Sequence, residues 1–260
     1  MKSISSSSSL FAALLLAGGI SSLSAQITAD PVSSGKFEPG FSYSRGSYGL
    51  ATDTEVYSAP LALSIEEGPW TLRGAVAWLS IKGPATVTAD SALPNRPTTA
   101  SEAGLGDFSA SLAYKFPSDP AGWVWTVTGR VKFPTANEDK GLGTGQTDYY
   151  GQIDLMKSFP SVTPFFTVGY RWLGNSPRYP LENGAYAAAG LAFPAGPKTT
   201  LSVGGEWRQA VVSGADDAME ASVSVFQRLS DTWTVSLNAL KGFNDASPDF
   251  GFGITLGYAF

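Results

Sequence analysis

Hydrophobic and polar residues alternate over much of the chain, most plainly at its C-terminal end. Phe250, Phe252, Ile254, Leu256, Tyr258 and Phe260 take every second position, with only Gly, Thr and Ala between them. A period of two belongs to an extended strand whose successive side chains point to opposite faces. Here one face is apolar and the other carries only small side chains. That division suits a strand with lipid on one side and a lumen on the other.

Twelve alternating segments follow residue 26, centred near Phe41, Leu61, Val76, Leu112, Val127, Ile153, Val168, Ala188, Val203, Val223, Leu237 and Leu256. Gly, Pro, Ser and Asp clusters punctuate them, and no helical period of any length intervenes. The connections alternate in length. Short ones fall at 66–69, 118–122, 160–161, 195–197 and 230–231, and the longest run through 83–103, 135–145 and 174–183. Short turns at one end and long loops at the other are the pattern of outer-membrane barrels. The pattern predicts an all-β fold: a transmembrane antiparallel up-and-down β-barrel of about 12 strands. An even count puts both termini on the periplasmic side. A soluble β-sandwich would need one charged, wet face on each strand, whereas the non-apolar faces here are mostly Gly, Ala, Ser and Thr.

Aromatic residues repeat at the short-turn end. Phe116, Phe159 and Phe193 each precede a Pro where a strand runs into a short turn, and Trp70, Trp123 and Trp233 open the strands that leave one. Rings with apolar bodies and polar edges favour the height of a membrane interface, so these residues predict an aromatic girdle.

The N-terminal end carries an export pattern. Lys2 precedes an apolar stretch over 10–20, and the small residues Ser22, Ser24 and Ala25 follow. This is the layout of a secretory signal peptide, too short to cross a membrane as a helix. We assign 1–25 to it and 26–260 to the barrel. The expected location is the cell outer membrane of a Gram-negative-type envelope, with outer-membrane lipid as the surrounding partner. A chain ending on Phe260 resembles the barrel ends that are read by the barrel assembly machinery, which is the second expected partner.

Composition narrows the function. The chain has no His, so the imidazole-dependent lipases, acyltransferases and proteases built on such barrels are excluded, as is His-ligated zinc. It has no Cys and hence no disulfide framework. The formal charge is −5, which argues against nucleic acid. The Gly-rich run from Gly141 to Gly145 lacks the Lys-Ser/Thr ending of a phosphate-binding loop and precedes a strand rather than a helix. The oxygens between Asn137 and Asp148 lack alternating ligand spacing, so that segment reads as a solvated loop. No cofactor, metal or catalytic residue is expected, and the protein does not read as an enzyme.

Strand parity assigns the lumen. In the segment from Trp123 to Phe133, Arg130 and Lys132 face inward with Thr126 and Thr128. The next strand turns Asp148, Gln152 and Asp154 inward, and the preceding one Asp107. Antiparallel pairing brings Asp107, Lys132 and Asp148 to similar heights, with Arg130 deeper. Asp107, Arg130, Lys132, Asp148 and Asp154 are therefore the candidate lumen-lining residues. Arg171, Glu206, Arg208, Glu220 and Arg228 form a second inward set. Such charges either hold strands in register or form an eyelet that selects solutes. Asp148 and Asp154 lie six positions apart on one strand, roughly 20 Å, too far for a glycosidase pair.

Several segments resemble one family. Gly104 to Phe116, Phe133 to Ala136, Gly141 to Tyr149 and Gly169 to Arg171 are similar, in that order, to the outer-membrane "transporter" family named for the meta-cleavage pathway of phenol degradation. The resemblance implies an outer-membrane barrel and tilts the solute class toward hydrophobic or aromatic compounds. It carries over no site residues. The expected function is passive uptake of small-molecule solutes through the barrel. The alternative is a non-conducting structural or surface-binding barrel, in which 83–103 folds inward as a plug or projects outward as a binding loop.

Overall fold

The computed structural model describes residues 34–87, 92–93 and 96–260. The proposed signal segment 1–25 lies outside them. The strands are β1 (Ser34–Gly46), β2 (Thr54–Glu67), β3 (Trp70–Lys82), β4 (Thr86–Val87), β5 (Ala92–Leu93), β6 (Glu102–Leu105), β7 (Phe108–Lys115) and β8 (Trp123–Phe133). They continue as β9 (Asp148–Lys157), β10 (Thr163–Trp172), β11 (Gly184–Pro194), β12 (Thr199–Arg208), β13 (Ala218–Arg228), β14 (Trp233–Gly242) and β15 (Phe250–Ala259).

Each long strand pairs antiparallel with its neighbours in sequence, and β15 returns to β1, with Arg45 opposite Phe250 and Lys36 opposite Ala259. The sheet closes on itself, leaving no long free edge. Counting β6 and β7 as one interrupted strand, the barrel has twelve strands, and each of the twelve centres read from the sequence falls within one. The short hairpin of β4 and β5 stands apart from the barrel sheet.

The interruption between β6 and β7 falls at Gly106 and Asp107. Gly106 still donates to the carbonyl of Ala77, at 2.8 Å. The Thr135 hydroxyl fills the gap, accepting from the Phe108 amide at 2.7 Å and donating to the Gly106 carbonyl at 3.2 Å. Asp107 is thereby released from strand pairing and its carboxylate turns inward.

Outside, the barrel is apolar. Along β15, Phe250, Phe252, Ile254, Leu256 and Tyr258 are exposed, while Gly251, Gly253, Thr255 and Gly257 are buried inside. The girdle expected at the short-turn end is present: Trp70 meets Tyr114 at 4.7 Å between ring centroids, Tyr114 meets Phe116 at 4.8 Å, and Trp233 meets Tyr258 at 4.9 Å. A second girdle at the long-loop end was not anticipated. There Tyr43 meets Tyr57 at 4.9 Å, Tyr170 meets Trp172 at 5.0 Å, and Phe108 meets Phe133 at 5.9 Å. No Pro or short turn repeats beside these residues, so the sequence gives no common landmark for their height.

The apolar packing that a soluble protein keeps at its centre sits here among the long loops. One cluster joins Val56 and Ile81 of the barrel wall to Ala85, Val87 and Leu142. A second joins Leu93 to Tyr179, Leu181 and Val211.

Candidate functional site

The lumen and its mouth at the long-loop end hold the inward side chains. Lys132 on β8 lies opposite Asp148 on β9, and its ammonium reaches the Asp148 carboxylate at 2.7 Å, that of Asp107 at 3.0 Å and the Thr144 hydroxyl at 3.0 Å. Asp107 also accepts from the Ala136 amide at 2.9 Å, and Asp148 from the Gly174 amide at 2.8 Å. All three charged side chains are at most 9% exposed. Three of the five candidate residues thus form one closed cluster.

The other two stand elsewhere on the wall. Arg130 lays its guanidinium over the Tyr150 ring, 3.7 Å from the centroid. Such stacking is an attraction between the cation and the negative face of the ring. Asp154 is buried and accepts from the Gln152 amide at 2.8 Å and the Thr167 hydroxyl at 2.7 Å, while Tyr186 donates to Gln152 at 2.9 Å. The second inward set centres on Arg208, which bridges Glu206 at 3.0 Å and Glu220. Glu206 and Glu220 face each other directly across β12 and β13, so the guanidinium removes a like-charge repulsion. Arg171 is buried and donates to the carbonyl of Gln209 at 2.6 Å.

The Gly-rich run is packed rather than solvated, which corrects the reading of 137–148 as a solvated loop. A turn of 3-10 helix over Glu138–Lys140 ends at Gly141, whose φ of 65° favours glycine. Leu142 enters the first apolar cluster and Thr144 is nearly inaccessible. A Cβ at Gly143 would stand 2.9 Å from the Asp107 carboxylate, so the bare backbone is what lets the two Gly-Leu-Gly runs meet around Lys132. Burying Leu142 recovers hydrophobic free energy that an exposed loop would forgo.

The described residues of segment 83–103 turn toward this mouth. Thr86 meets the Tyr179 hydroxyl at 3.2 Å, and Leu93 packs on Tyr179, Leu181 and Val211 from loops across the barrel. Arg96 ties the segment down, donating to the carbonyls of Gly83 (3.2 Å), Ala100 (3.0 Å) and Lys140 (3.0 Å). Burial holds its guanidinium pKa below the usual value, since the charge is partly desolvated. Sequence reading missed Arg96, because a lone basic residue in a Pro- and Thr-rich loop has no period to place it. It also missed Tyr150 and Tyr186, aromatics that break the small-residue rule of the inward face.

Beside the segment lies a cavity of about 380 Å³ at the mouth. Tyr48, Ala92, Arg208, Val211, Asp216 and Asp245 contribute to its lining. The Tyr48 phenol has its pKa raised by burial, reinforced by the Glu220 charge. No group of three or more carboxylates arranged to hold a metal ion occurs among the described residues.

Comparison with known proteins gives a fold. No family model matches the chain, and no curated protein matches it in sequence. Among solved structures, an outer-membrane channel from Pseudomonas putida F1 is similar with a TM-score of 0.70 at 13% identity, covering 93% of this chain and 100% of that one. The KdgM porin is similar with a TM-score of 0.56 at 7% identity, covering 86% of this chain and 99% of that one. The β-domain of the Bordetella autotransporter BrkA follows with a TM-score of 0.52 at 13% identity, over 86% and 98% of the two chains. At these identities the likeness is one of architecture: the chain is a closed twelve-stranded antiparallel β-barrel of the outer-membrane type.

Proposed function

We propose that the protein is a passive channel for small solutes in the outer membrane, with both termini in the periplasm and the long loops at the cell surface. The observation that carries this reading is the division of the wall. Residues facing out are mostly large and apolar, while those facing in are mostly Ser, Thr, Gly, Asn and charged groups, with Tyr150, Tyr186, Phe226 and Leu240 as the larger exceptions. A barrel that served only as an anchor has no need of a polar interior. In this reading Lys132, Asp107 and Asp148 brace the mouth, and Arg130 and Asp154 line the path below it. Similarity to a solved channel and a porin supports the role. The resemblance to the meta-cleavage phenol "transporter" family supports hydrophobic or aromatic solutes as cargo, and the terminal Phe260 supports delivery by the barrel assembly machinery.

The inward turn of 83–103 favours one competing reading, a barrel whose mouth is closed. Single-channel recording of the refolded mature protein in a planar bilayer, with and without small aromatic acids, separates the two. Steady openings that these acids block support the channel and its cargo. A folded, heat-modifiable barrel that stays silent refutes the channel.

A further inference from the structure

The charges of the lumen are largely consumed in pairs. Lys132 is held by Asp107 and Asp148, Arg208 by Glu206 and Glu220, and Glu38 by Lys36 at 2.6 Å and by Arg73. On the wall formed by β12 to β15, β1 and β2, the stretch between those charged groups is instead neutral and hydroxylated. Strand pairing lines up one row across these six strands. Ser202 lies opposite Ser224, Ser224 opposite Asn238, Asn238 opposite Gly253, Gly253 opposite Ser42, and Ser42 opposite Ser58. All the polar members are buried on the inner face. One step toward the short turns Phe226 stands among the hydroxyls of Thr200, Ser236 and Thr255, and one step toward the long loops Leu240 stands beside Ser222.

A row of small residues has a plain structural use, since it lets a sheet curve tightly. One member does not fit that use. The Ser224 hydroxyl, on a residue 5% exposed, has no hydrogen-bond partner among the described residues. Its strand parity points it into the lumen. A buried hydroxyl left unsatisfied costs free energy that water or a solute must offset. An alanine would curve the sheet as well and carry no such cost.

We propose that the row Ser202, Ser224, Asn238, Ser42 and Ser58 is a hydrogen-bonding subsite on the permeation path for neutral solutes bearing several hydroxyl groups. The assignment rests on the channel reading above. Serine hydroxyls and the Asn238 amide both donate and accept, as the hydroxyls of such a solute do. A solute shedding water in a narrow lumen exchanges those hydrogen bonds for contacts along the row. An ion finds no counter-charge in the row. The hydroxyls of Thr200, Ser236 and Thr255 extend this polar lining toward the short turns.

The test uses the mature full-length protein in a planar bilayer, with ion current as the readout and xylitol as the probe. The variant combines Ser42→Ala, Ser58→Ala and Ser224→Ala. Alanine is smaller than serine, so a purely steric lumen passes current and xylitol as well as before or better. A hydrogen-bonding subsite predicts that xylitol reduces the wild-type current and that its half-blocking concentration rises roughly three- to tenfold in the variant. Equal xylitol response in the two proteins overturns the subsite while leaving the channel intact. A folded wild type without current refutes the channel reading and the subsite with it. Because the chain has no Cys, Ser224→Cys adds a second readout. Its thiol should react with a small methanethiosulfonate reagent in folded barrels, and a thiol inert in conducting barrels overturns the placement of Ser224 on the path.

Discussion

Lys132 is the residue whose loss should cost this barrel most. Its ammonium contacts both Asp107 and Asp148, at 3.0 and 2.7 Å, and it also donates to Thr144 at 3.0 Å. Replacing it with Met keeps most of the side-chain volume, so packing changes little and the electrostatic term dominates. Two carboxylates are then left near each other without the ammonium between them, Asp107 keeping the Ala136 amide and Asp148 the Gly174 amide and the Tyr150 hydroxyl among its contacts. Breaking a buried ion pair by removing one partner typically costs about 3–5 kcal/mol, because an uncompensated buried charge remains. We expect Lys132→Met to destabilise by about that amount. The assay is urea unfolding of the protein in phospholipid vesicles, followed by tryptophan fluorescence. Adding Asp107→Asn and Asp148→Asn to Lys132→Met removes the orphaned charges and should recover most of the loss. A cost below about 1 kcal/mol would refute the reasoning, since that is the range of solvent-exposed pairs. It would mean that water reaches the cluster and screens it.

The remaining predictions address the wall and the mouth. Gly83 has a φ of 127°, and a Cβ there would stand 2.6 Å from the Asp53 carbonyl oxygen, so Gly83→Val should cost about 1–3 kcal/mol in the same unfolding assay. An unchanged urea midpoint would show that the foot of segment 83–103 rearranges freely. Arg96→Ala removes the three carbonyl contacts that tie this segment down. Proteinase K should then cut within 83–103 faster while the barrel still shifts on heating in a gel, and equal cleavage rates would refute that role. Ile254→Lys places a charge on the lipid face of β15 and should destabilise by about 2–4 kcal/mol, whereas Thr255→Ser on the inner face should be near neutral. Equal effects would contradict the assignment of faces.

The periodicity of two carried most of the fold. Strand count, the two faces and the alternation of turns and loops are local properties, because a strand facing lipid must place an apolar group at every second position. The girdle at the short-turn end was legible for the same reason, since Phe-Pro and Trp recur beside turns that sequence can mark. Pairing between adjacent strands also followed, so Asp107, Lys132 and Asp148 were expected at similar heights. Their closure into one contacting cluster depended on more. It required β6 and β7 to break at Gly106, Thr135 to bridge the gap, and Gly143 to leave room for the carboxylate. Those are contacts between segments about thirty residues apart, and no local pattern encodes them.

The sequence by itself determined that this chain closes into a barrel with an apolar exterior and a small, polar interior, because that outcome follows from alternation repeated twelve times. It also excluded histidine chemistry outright. Only the tertiary structure decided how the mouth is arranged: segment 83–103 turns inward, Arg96 anchors it, and Leu142 lies beneath it rather than in water. Loops lack a repeating constraint from the bilayer, so their course is set by which distant apolar and charged groups they meet. The same holds for the hydroxyl row, whose two parts, Ser202 to Asn238 and Ser42 with Ser58, join only when β15 closes on β1.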